Sequence, residues 1–453
     1  MASPVPDSLL LPIETLNREF DGKLLVALAA AERGFRPIIG GRAAIHDSLP
    51  ALPRSIYLSK GVRSGSRPIF SLLERFGHSI AAVDEEALVR FSDELFLMKL
   101  DPDAFPRVRI LFAWGDDNAE LWRRSQWYAG APILASGNPR TDMMRPELRP
   151  FHQPEVDAIR AQFGDFALFN SNFSVVNHFI PNKTRFKVAD WVTPEASDQF
   201  RSGMLAHKQA LFERFLEAMP ALARAIAPRH LVIRPHPSEN ADAWRQATAG
   251  IANATVLHEG AVVPWLIAAR VLVHNGCSSA VEAAAIGTPA LAYAPLASQE
   301  FDIWLPNALS RLCPDPETLA EATRQSLGGD APPPGNEHKT LLHHHLAGLE
   351  GALCSERIAA GLIEHRTALA EAPGTDPIRW AGAWLKHRQR LRKRRRRDRA
   401  EAGAASSYIQ HKFPGIEPDW MEQRIQRFRR ALGRFENVRS RQIRRDIFAI
   451  ERR

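Results

Sequence analysis

The sequence predicts an α/β protein with two open, mainly parallel sheets and a basic, helical C-terminal extension, and three observations predict it. Residues 271–295, VLVHNGCSSAVEAAAIGTPALAYAP, run from an apolar segment through a small polar turn and an alanine-rich helical pattern to Gly287 and a second apolar segment. That is the strand, loop, helix, strand grammar of a parallel sheet. Short apolar segments alternate with helix-length gaps through residues 9–150 and again from 166 to 292. Charge then changes sign along the chain. Residues 381–453 carry 22 Lys and Arg against 8 Asp and Glu, while the rest carries 37 against 43, so the net +8 comes wholly from the tail.

The first unit opens on a strand-like run at 9–13, followed by Glu14, Asn17, Arg18, Glu19 and Asp21. A helical pattern (Leu24, Leu25, Leu28, Ala31) ends at Gly34, and residues 36–40 give the next strand. Further strands are expected at 55–58, 79–83, 110–114 and 132–135, which together read as a Rossmann-like sheet with helices on both faces. Gly137-Asn138-Pro139-Arg140 approaches a boundary near residue 160. In the second unit a strand at 167–170 ends in Asn172-Phe173-Ser174, and a long polar-aromatic loop at 177–197 precedes a helix at about 198–227. Strands follow at 231–234, 255–257, 271–274 and 289–292, and DAPPPGN (330–336) is a linker. The expected domains are therefore 1–160, 161–350 and a helical basic tail at 351–453.

Composition narrows the classes. With 45% hydrophobic and 24% charged residues the chain is ordinary globular protein. Cys277, Cys313 and Cys354 are too few and scattered for a disulfide framework or a zinc site. His343–His345 point in different directions on a helix, and Asp101-Pro102-Asp103 reads as a turn and helix cap, so no metal is expected. The start lacks the pattern of a signal peptide, and no apolar run approaches the ~20 residues that span a bilayer. A cytoplasmic protein without a cofactor is expected.

The chemistry concentrates at two predicted strand ends. The turn Asn275, Gly276, Cys277, Ser278, Ser279 places backbone N–H groups and hydroxyls at a helix N-terminus, where the dipole favours an anion. Glu282 lies one helical turn on, within reach of a ribose hydroxyl. LVIRPHPSEN (231–240) ends a second strand in Arg234, His236 and Ser238. Ligands of open parallel sheets bind beyond the carboxyl ends of the strands, so the two loops together suggest a nucleotide site. In the tail, KHRQRLRKRRRRDR (386–399) follows Trp380 and Trp384, and Met421, Ile425, Phe428, Leu432 and Phe435 share a face with arginines around them. Three readings stand for it: an anionic inner-membrane surface, which leads, packing on the protein itself, and nucleic acid, which has no base-reading motif to support it.

The chain resembles a bacterial family of surface carbohydrate biosynthesis proteins with a GT-B, glycosyltransferase-like architecture. The likeness is carried by PIETLNREFDGKLLVA (12–27), YLSKG (57–61), VDEEAL (83–88), WG (114–115), SGNPRTD (136–142), NSNFS (170–174), RPHPSE (234–239), NGCSSAVEA (275–283) and KFPG (412–415). It also resembles GT-B bacterial sialyltransferases, which carry a D/E-D/E-G motif, an HP motif and a serine-rich motif. Here Asp84-Glu85-Glu86, His236-Pro237 and Ser278-Ser279 stand in the same order, with Ala87 where the glycine of the first motif, one position further along, would sit. HP pairs and serine-rich loops are found in Kdo and polyol-phosphate transferases too.

These resemblances imply a glycosyltransferase of capsule or lipopolysaccharide assembly, with a CMP-linked ulosonic acid as the leading donor. The acceptor would be a saccharide or lipid-linked saccharide. Arg234, His236, Asn275, Gly276, Ser278, Ser279 and Glu282 are the expected nucleotide-binding set, and Asp84, Glu85 and Glu14 the candidate bases, Glu14 on its position after the first strand. Two alternatives keep the fold: a nucleotide-sugar 2-epimerase or a polyol-phosphate transferase using a CDP donor, and a non-catalytic scaffold that binds a nucleotide sugar.

Overall fold

The computed structural model describes residues 6–180, 194–370, 376–400 and 412–452, and the chain forms two compact units. The first comprises residues 1–87, 99–151 and 344–453, the second residues 88–98 and 152–343. In the first, β1 (Ser8–Ile13), β2 (Arg36–Gly41), β3 (Ser55–Ser59), β4 (Ser79–Val83), β5 (Ile110–Phe112) and β6 (Ile133–Leu134) pair in parallel in the order β2-β1-β3-β4-β5-β6. The apolar runs are continuous rather than alternating because both faces of the sheet are covered; β1 is buried along its whole length. The helix Leu16–Glu32 follows, and its stretch from Leu24 to Ala31 is apolar on all sides and sealed in the core.

In the second unit, β7 (Phe166–Asn170), β8 (His230–Arg234), β9 (Ala254–Val256), β10 (Val271–His274), β11 (Ala290–Tyr293) and β12 (Arg311–Cys313) form a parallel sheet ordered β12-β11-β10-β7-β8-β9. The first strand lies in the middle, the next two go to one side and the last three to the other, which is the Rossmann order. The long helix Pro194–Ala225 lays Leu211, Phe215 and Leu222 on one face of this sheet, against Phe169 and Ile233. The expected α/β class with two Rossmann-like sheets is the fold observed.

The C-terminal segment departs from a wholly helical tail. Helix Pro418–Leu432 buries Met421, Ile425 and Phe428 in the first unit's core, each worth about 1.5–3 kcal/mol. Phe428 packs on Phe151 in a tilted pair, 4.4 Å between centroids. The chain then turns into a hairpin, β13 (Val438–Arg444) and β14 (Ile447–Arg452), and β14 pairs antiparallel with β2, making an eight-stranded sheet among the described residues. A Cβ on Gly40 would lie 2.2 Å from the Asp446 carbonyl oxygen, so only glycine lets the hairpin reach the sheet edge. Residues 447–450 are all buried there, which closes an otherwise open edge. The segment 344–453 thus joins the first unit instead of standing as a third domain, because its apolar face has a core to enter. Among the described residues no helix is long and apolar enough to cross a membrane.

Candidate functional site

In the second unit the chain order reverses between β7 and β10, so the loops leaving these strands diverge and open a crevice at their carboxyl ends. Asn275, just after β10, bridges it: Oδ1 accepts from the Asn172 N–H at 3.0 Å and Nδ2 donates to the Asn172 carbonyl at 3.2 Å. The loop after β8 is tied in by Glu239, whose buried carboxylate accepts from Ser171 Oγ (2.6 Å), Phe173 N (2.7 Å), Trp244 Nε1 (3.1 Å) and His236 N (3.3 Å). Burial pushes the pKa of Glu239 up, against those four donors. The sequence reading missed this residue, although it closes the RPHPSE motif. A carboxylate after a strand has no local signal of burial.

His236 is exposed, and its Nδ1 accepts the Ser238 N–H at 3.1 Å, which places the proton of the neutral ring on Nε2. Arg234 is buried and turns onto Trp265, its guanidinium 4.8 Å from the ring centre. Nη2 donates to the Gly260 carbonyl at 3.3 Å, and burial lowers the pKa to about 9.

After β10 the chain turns through Gly276 at φ +81°, a left-handed conformation that favours glycine. The Gly276 N–H donates to His274 Nδ1 (3.0 Å), and His274 Nε2 therefore donates to Ser310 Oγ (2.8 Å). Burial drops the His274 pKa to about 3, so the ring is a neutral strut that shapes the turn. The helix Ser278–Ile286 begins without a side-chain cap: Ser279 Oγ bonds Cys277 Sγ at 2.6 Å, Ser278 is half-buried, and Glu282 is buried one turn on.

Besides Arg234 Nη1, two further buried polar groups at this strand end lack partners among the described residues. Asn170, the last residue of β7, leaves Nδ2 unbonded. Lys208, from the long helix, is 7% exposed and forms neither a hydrogen bond nor an ion pair among the described residues; burial lowers its pKa, against the nearby Asp302, and the neutral Cys277 thiol is close to it. Asp302 is already bonded to His207 Nε2 at 2.9 Å and to the Ser298 N–H at 2.8 Å. An unpaired buried ammonium beside an uncapped helix N-terminus gathers positive potential in one place, the arrangement that holds a phosphate.

The candidate bases lie in the first unit, at the carboxyl ends of β1 and β4. Glu14 meets Arg42 at 2.9 Å, Lys412 at 3.8 Å and Lys60 in direct contact; burial opposes its ionisation, but these cations hold its pKa below the usual carboxylate value. Glu19 caps the following helix by accepting from the N–H groups of Glu14 (3.1 Å) and Thr15 (3.2 Å). It also binds Lys23 at 2.9 Å, and although burial works against it, Lys23 and Lys60 bring its pKa to about 2. Lys23, 1% exposed, continues to Glu85 at 3.6 Å. Burial raises Asp84 to about 6, with Arg63, 3.8 Å away, opposing. Asp84 Oδ2 and Glu85 Oε2 are buried without partners among the described residues. Asp101 accepts from the N–H groups of Asp103 (3.0 Å) and Ala104 (2.8 Å) and pairs with Arg67 at 2.8 Å, which is the expected turn and cap. The described residues hold no group of three or more His, Cys, Asp or Glu side chains that would bind a metal.

The basic helix Pro377–Ala400 lies against the first unit: Arg394 pairs with Asp47 at 2.5 Å and His387 Nε2 bonds the Asp47 carbonyl at 3.1 Å. Residues 401–411 of the tail fall outside the described residues.

No protein-family model and no curated protein matches the sequence. Solved structures match in fold. Wall teichoic acid polymerase TagF, in a 30-minute CDPG soak, aligns with a TM-score of 0.51 at 10% identity, over 81% of this chain and 90% of that one. A UDP-N-acetylglucosamine 2-epimerase aligns at 0.49 and 13% identity over 83% and 100%, and an S. aureus MnaA–UDP co-structure at 0.46 and 13% over 81% and 98%. The likeness to TagF is one of fold, and the fold is of GT-B type.

Proposed function

We propose that this chain is a GT-B-type transferase of surface polysaccharide assembly that uses a nucleotide-activated donor, with the donor's phosphate held at the switch point of the second unit. The observation that carries the reading is the buried, unpaired Lys208 beside the uncapped helix at Ser278. A phosphate there gains the helix N–H groups, the Ser278 hydroxyl and the Lys208 ammonium, with the Asn170 amide and the His236 Nε2–H as further donors. Charge-assisted bonds of this kind contribute about 1.5–3 kcal/mol each, and most when charge builds on the leaving phosphate. Asn275, Gly276 and Glu239 hold the loops in place. Arg234 is a positioning residue under the β8 loop, and Glu282 is assigned to the ribose hydroxyls.

Of the three carboxylates in the first unit, Asp84 suits a general base best, because burial raises it to about 6, near working pH. Glu85 faces Lys23, and Glu14 is committed to three cations. The donor class we favour is a cytidine nucleotide, a CMP-linked ulosonic acid first and a CDP-linked polyol phosphate second; both present the phosphate this site is built to take. The TagF likeness, to a protein soaked with CDPG, is consistent with the fold of such a transferase. We place the protein at the cytoplasmic side of the inner membrane, its exposed basic residues serving the anionic lipid surface.

The test is a thermal-shift and calorimetry series with CMP, CDP, UDP and GDP on the wild type, His236→Ala and Lys208→Met. Selective binding of cytidine nucleotides, weakened in both variants, is the expected result. Preference for UDP moves the donor to a hexose nucleotide. Silence from every nucleotide rejects the reading.

A further inference from the structure

The basic helix Pro377–Ala400 carries 11 Lys and Arg against one Asp, and its side chains divide into two faces. Trp380 and His387 meet Phe76 edge-on, at 5.8 and 6.1 Å between centroids, and Ala383 is fully buried. His387 and Arg394 both bond Asp47. At this helical spacing the four residues share one stripe, and that stripe fixes the helix to the first unit.

The opposite stripe is uncovered. Ile378, Leu385, Gln389, Arg392 and Arg396 line up along it and are all exposed, Ile378 at 82% and Leu385 at 57%. Lys386 and Lys393 flank it on one side. Arg388 flanks it on the other, its guanidinium 4.7 Å from the ring centre of the half-buried Trp384. The nearby acids are engaged elsewhere: Asp47 by Arg394, and Asp376 by Arg379 at 3.8 Å. Lys386, Arg392, Lys393 and Arg396 form no ion pair among the described residues. A single exposed aliphatic side chain is ordinary, but two on one stripe beside tryptophan and unneutralised cations make an amphipathic surface.

Charge and apolarity together select the occupant. A second copy of the chain would set arginines against arginines. A nucleic acid or another polyanion matches the charge but leaves Ile378 and Leu385 in water. An anionic bilayer accepts both, with lipid phosphates on the cations and the acyl boundary beneath the aliphatic chains.

We propose that the outer face of this helix is the membrane-docking surface of the protein. Ile378 and Leu385 enter the boundary between headgroups and acyl chains, and Lys386, Arg388, Arg392, Lys393 and Arg396 lie on the phosphates. The helix rests on the surface rather than crossing it. The inference rests on the membrane placement proposed above, to which it adds an apolar anchor; it does not depend on transferase activity. Because the helix is fixed to the first unit, that unit is the one held at the bilayer.

The test is sedimentation of the full chain with vesicles of phosphatidylcholine, alone or mixed with phosphatidylglycerol, at low and high salt. Binding to the mixed vesicles alone is expected. At low salt Arg392→Gln/Lys393→Gln/Arg396→Gln should weaken it about a hundredfold, and Ile378→Ser/Leu385→Ser about tenfold or more. Salt screens charges, so the effect of the glutamine triple should shrink at high salt while that of the serine pair persists. All five positions face outward, so melting temperature and nucleotide binding should stay at wild-type values. A failure of this surface is thereby read separately from a failure of the donor site. Arg439→Gln/Arg441→Gln, two exposed cations of the C-terminal hairpin, controls for net charge and should change vesicle binding far less. Absent vesicle binding, binding that the serine pair leaves intact at both salts, or an equal loss in the hairpin control overturns the proposal. So does capture of heparin without binding to vesicles, the result a polyanion site would give.

Discussion

Two buried lysines divide the molecule. Lys23, 1% exposed in the first unit, sits between Glu19 and Glu85 and donates to the Pro12 carbonyl at 2.9 Å. Lys208, 7% exposed in the second, has no partner among the described residues. Burial penalises both ammonium groups, yet Glu19 and Glu85 carry the Lys23 pKa above its ordinary value while that of Lys208 falls. One charge is spent inside the protein on holding two strand ends and a helix together. The other is stored at a cost to the fold, and such a cost is retained where a ligand supplies the missing partner.

The sharpest way to break this comparison is to neutralise each lysine. Lys23→Met leaves two carboxylates buried without their cation and should cost about 3–5 kcal/mol in urea unfolding. Adding Glu19→Gln and Glu85→Gln should recover part of it; if the single change is silent, the network carries no stability. Lys208→Met should behave in the opposite sense. The free protein should be as stable as the wild type or more so, while cytidine nucleotide affinity falls about 10- to 150-fold, the equivalent of one charge-assisted contact. A loss of stability without a loss of affinity would make Lys208 a structural residue.

A pH series sharpens the picture of the first unit. Asp84 and Asp142 are both raised to about 6 by burial, and Asp142 accepts from the N–H groups of Cys354 (2.6 Å) and Ser355 (2.9 Å). A carboxyl raised in the folded state adds stability in full below its unfolded value near 4, and that contribution is lost as pH climbs to about 6. The buried neutral rings of His46 and His274, held at about 3, and of His78, at about 4, act in the opposite sense over the same range. The Asp84 share, on the order of 1–3 kcal/mol, is therefore read as the difference in slope between the wild type and Asp84→Asn. Glu19, held at about 2, acts in the other direction below its unfolded value of about 4.5 and is common to both proteins. An identical slope in Asp84→Asn would show that Asp84 is ionised well below 6. The smallest effect is expected of His236→Ala: the exposed ring stabilises little, so melting should not move, while nucleotide affinity should fall about tenfold. Unchanged affinity there would remove the β8 loop from the site.

Much of the second unit is legible in the sequence. The turn at Asn275–Ser279, the strands on either side and the β8 loop with His236 all depend on neighbours a few residues away, so apolar runs and small turn residues locate them. Glu239 and Lys208 were not legible. One looks like any acid after a strand and the other like any lysine on a helix; their burial comes from Ser171 and Phe173, 68 and 66 residues before Glu239, and from the packing of the long helix. In the first unit the acids after β1 and β4 stood out as a group, but their pairing with Lys23, Lys60 and Lys412 did not. The tail shows the limit most clearly. Its arginine count suggested a helix facing an anionic surface, and nothing local in RQIRRDIFAIER marks the hairpin that pairs with β2.

By itself the sequence determined the class of fold, the order and length of most elements, and the strand ends where chemistry collects. All of these are set by short-range periodicity and by the turn chemistry of Gly, Asn and Ser. Only the tertiary structure decided which charges are neutralised and which are left over. Coulombic and desolvation energies depend on the atoms within several ångströms, and here those atoms come from as far apart as Glu14 and Lys412.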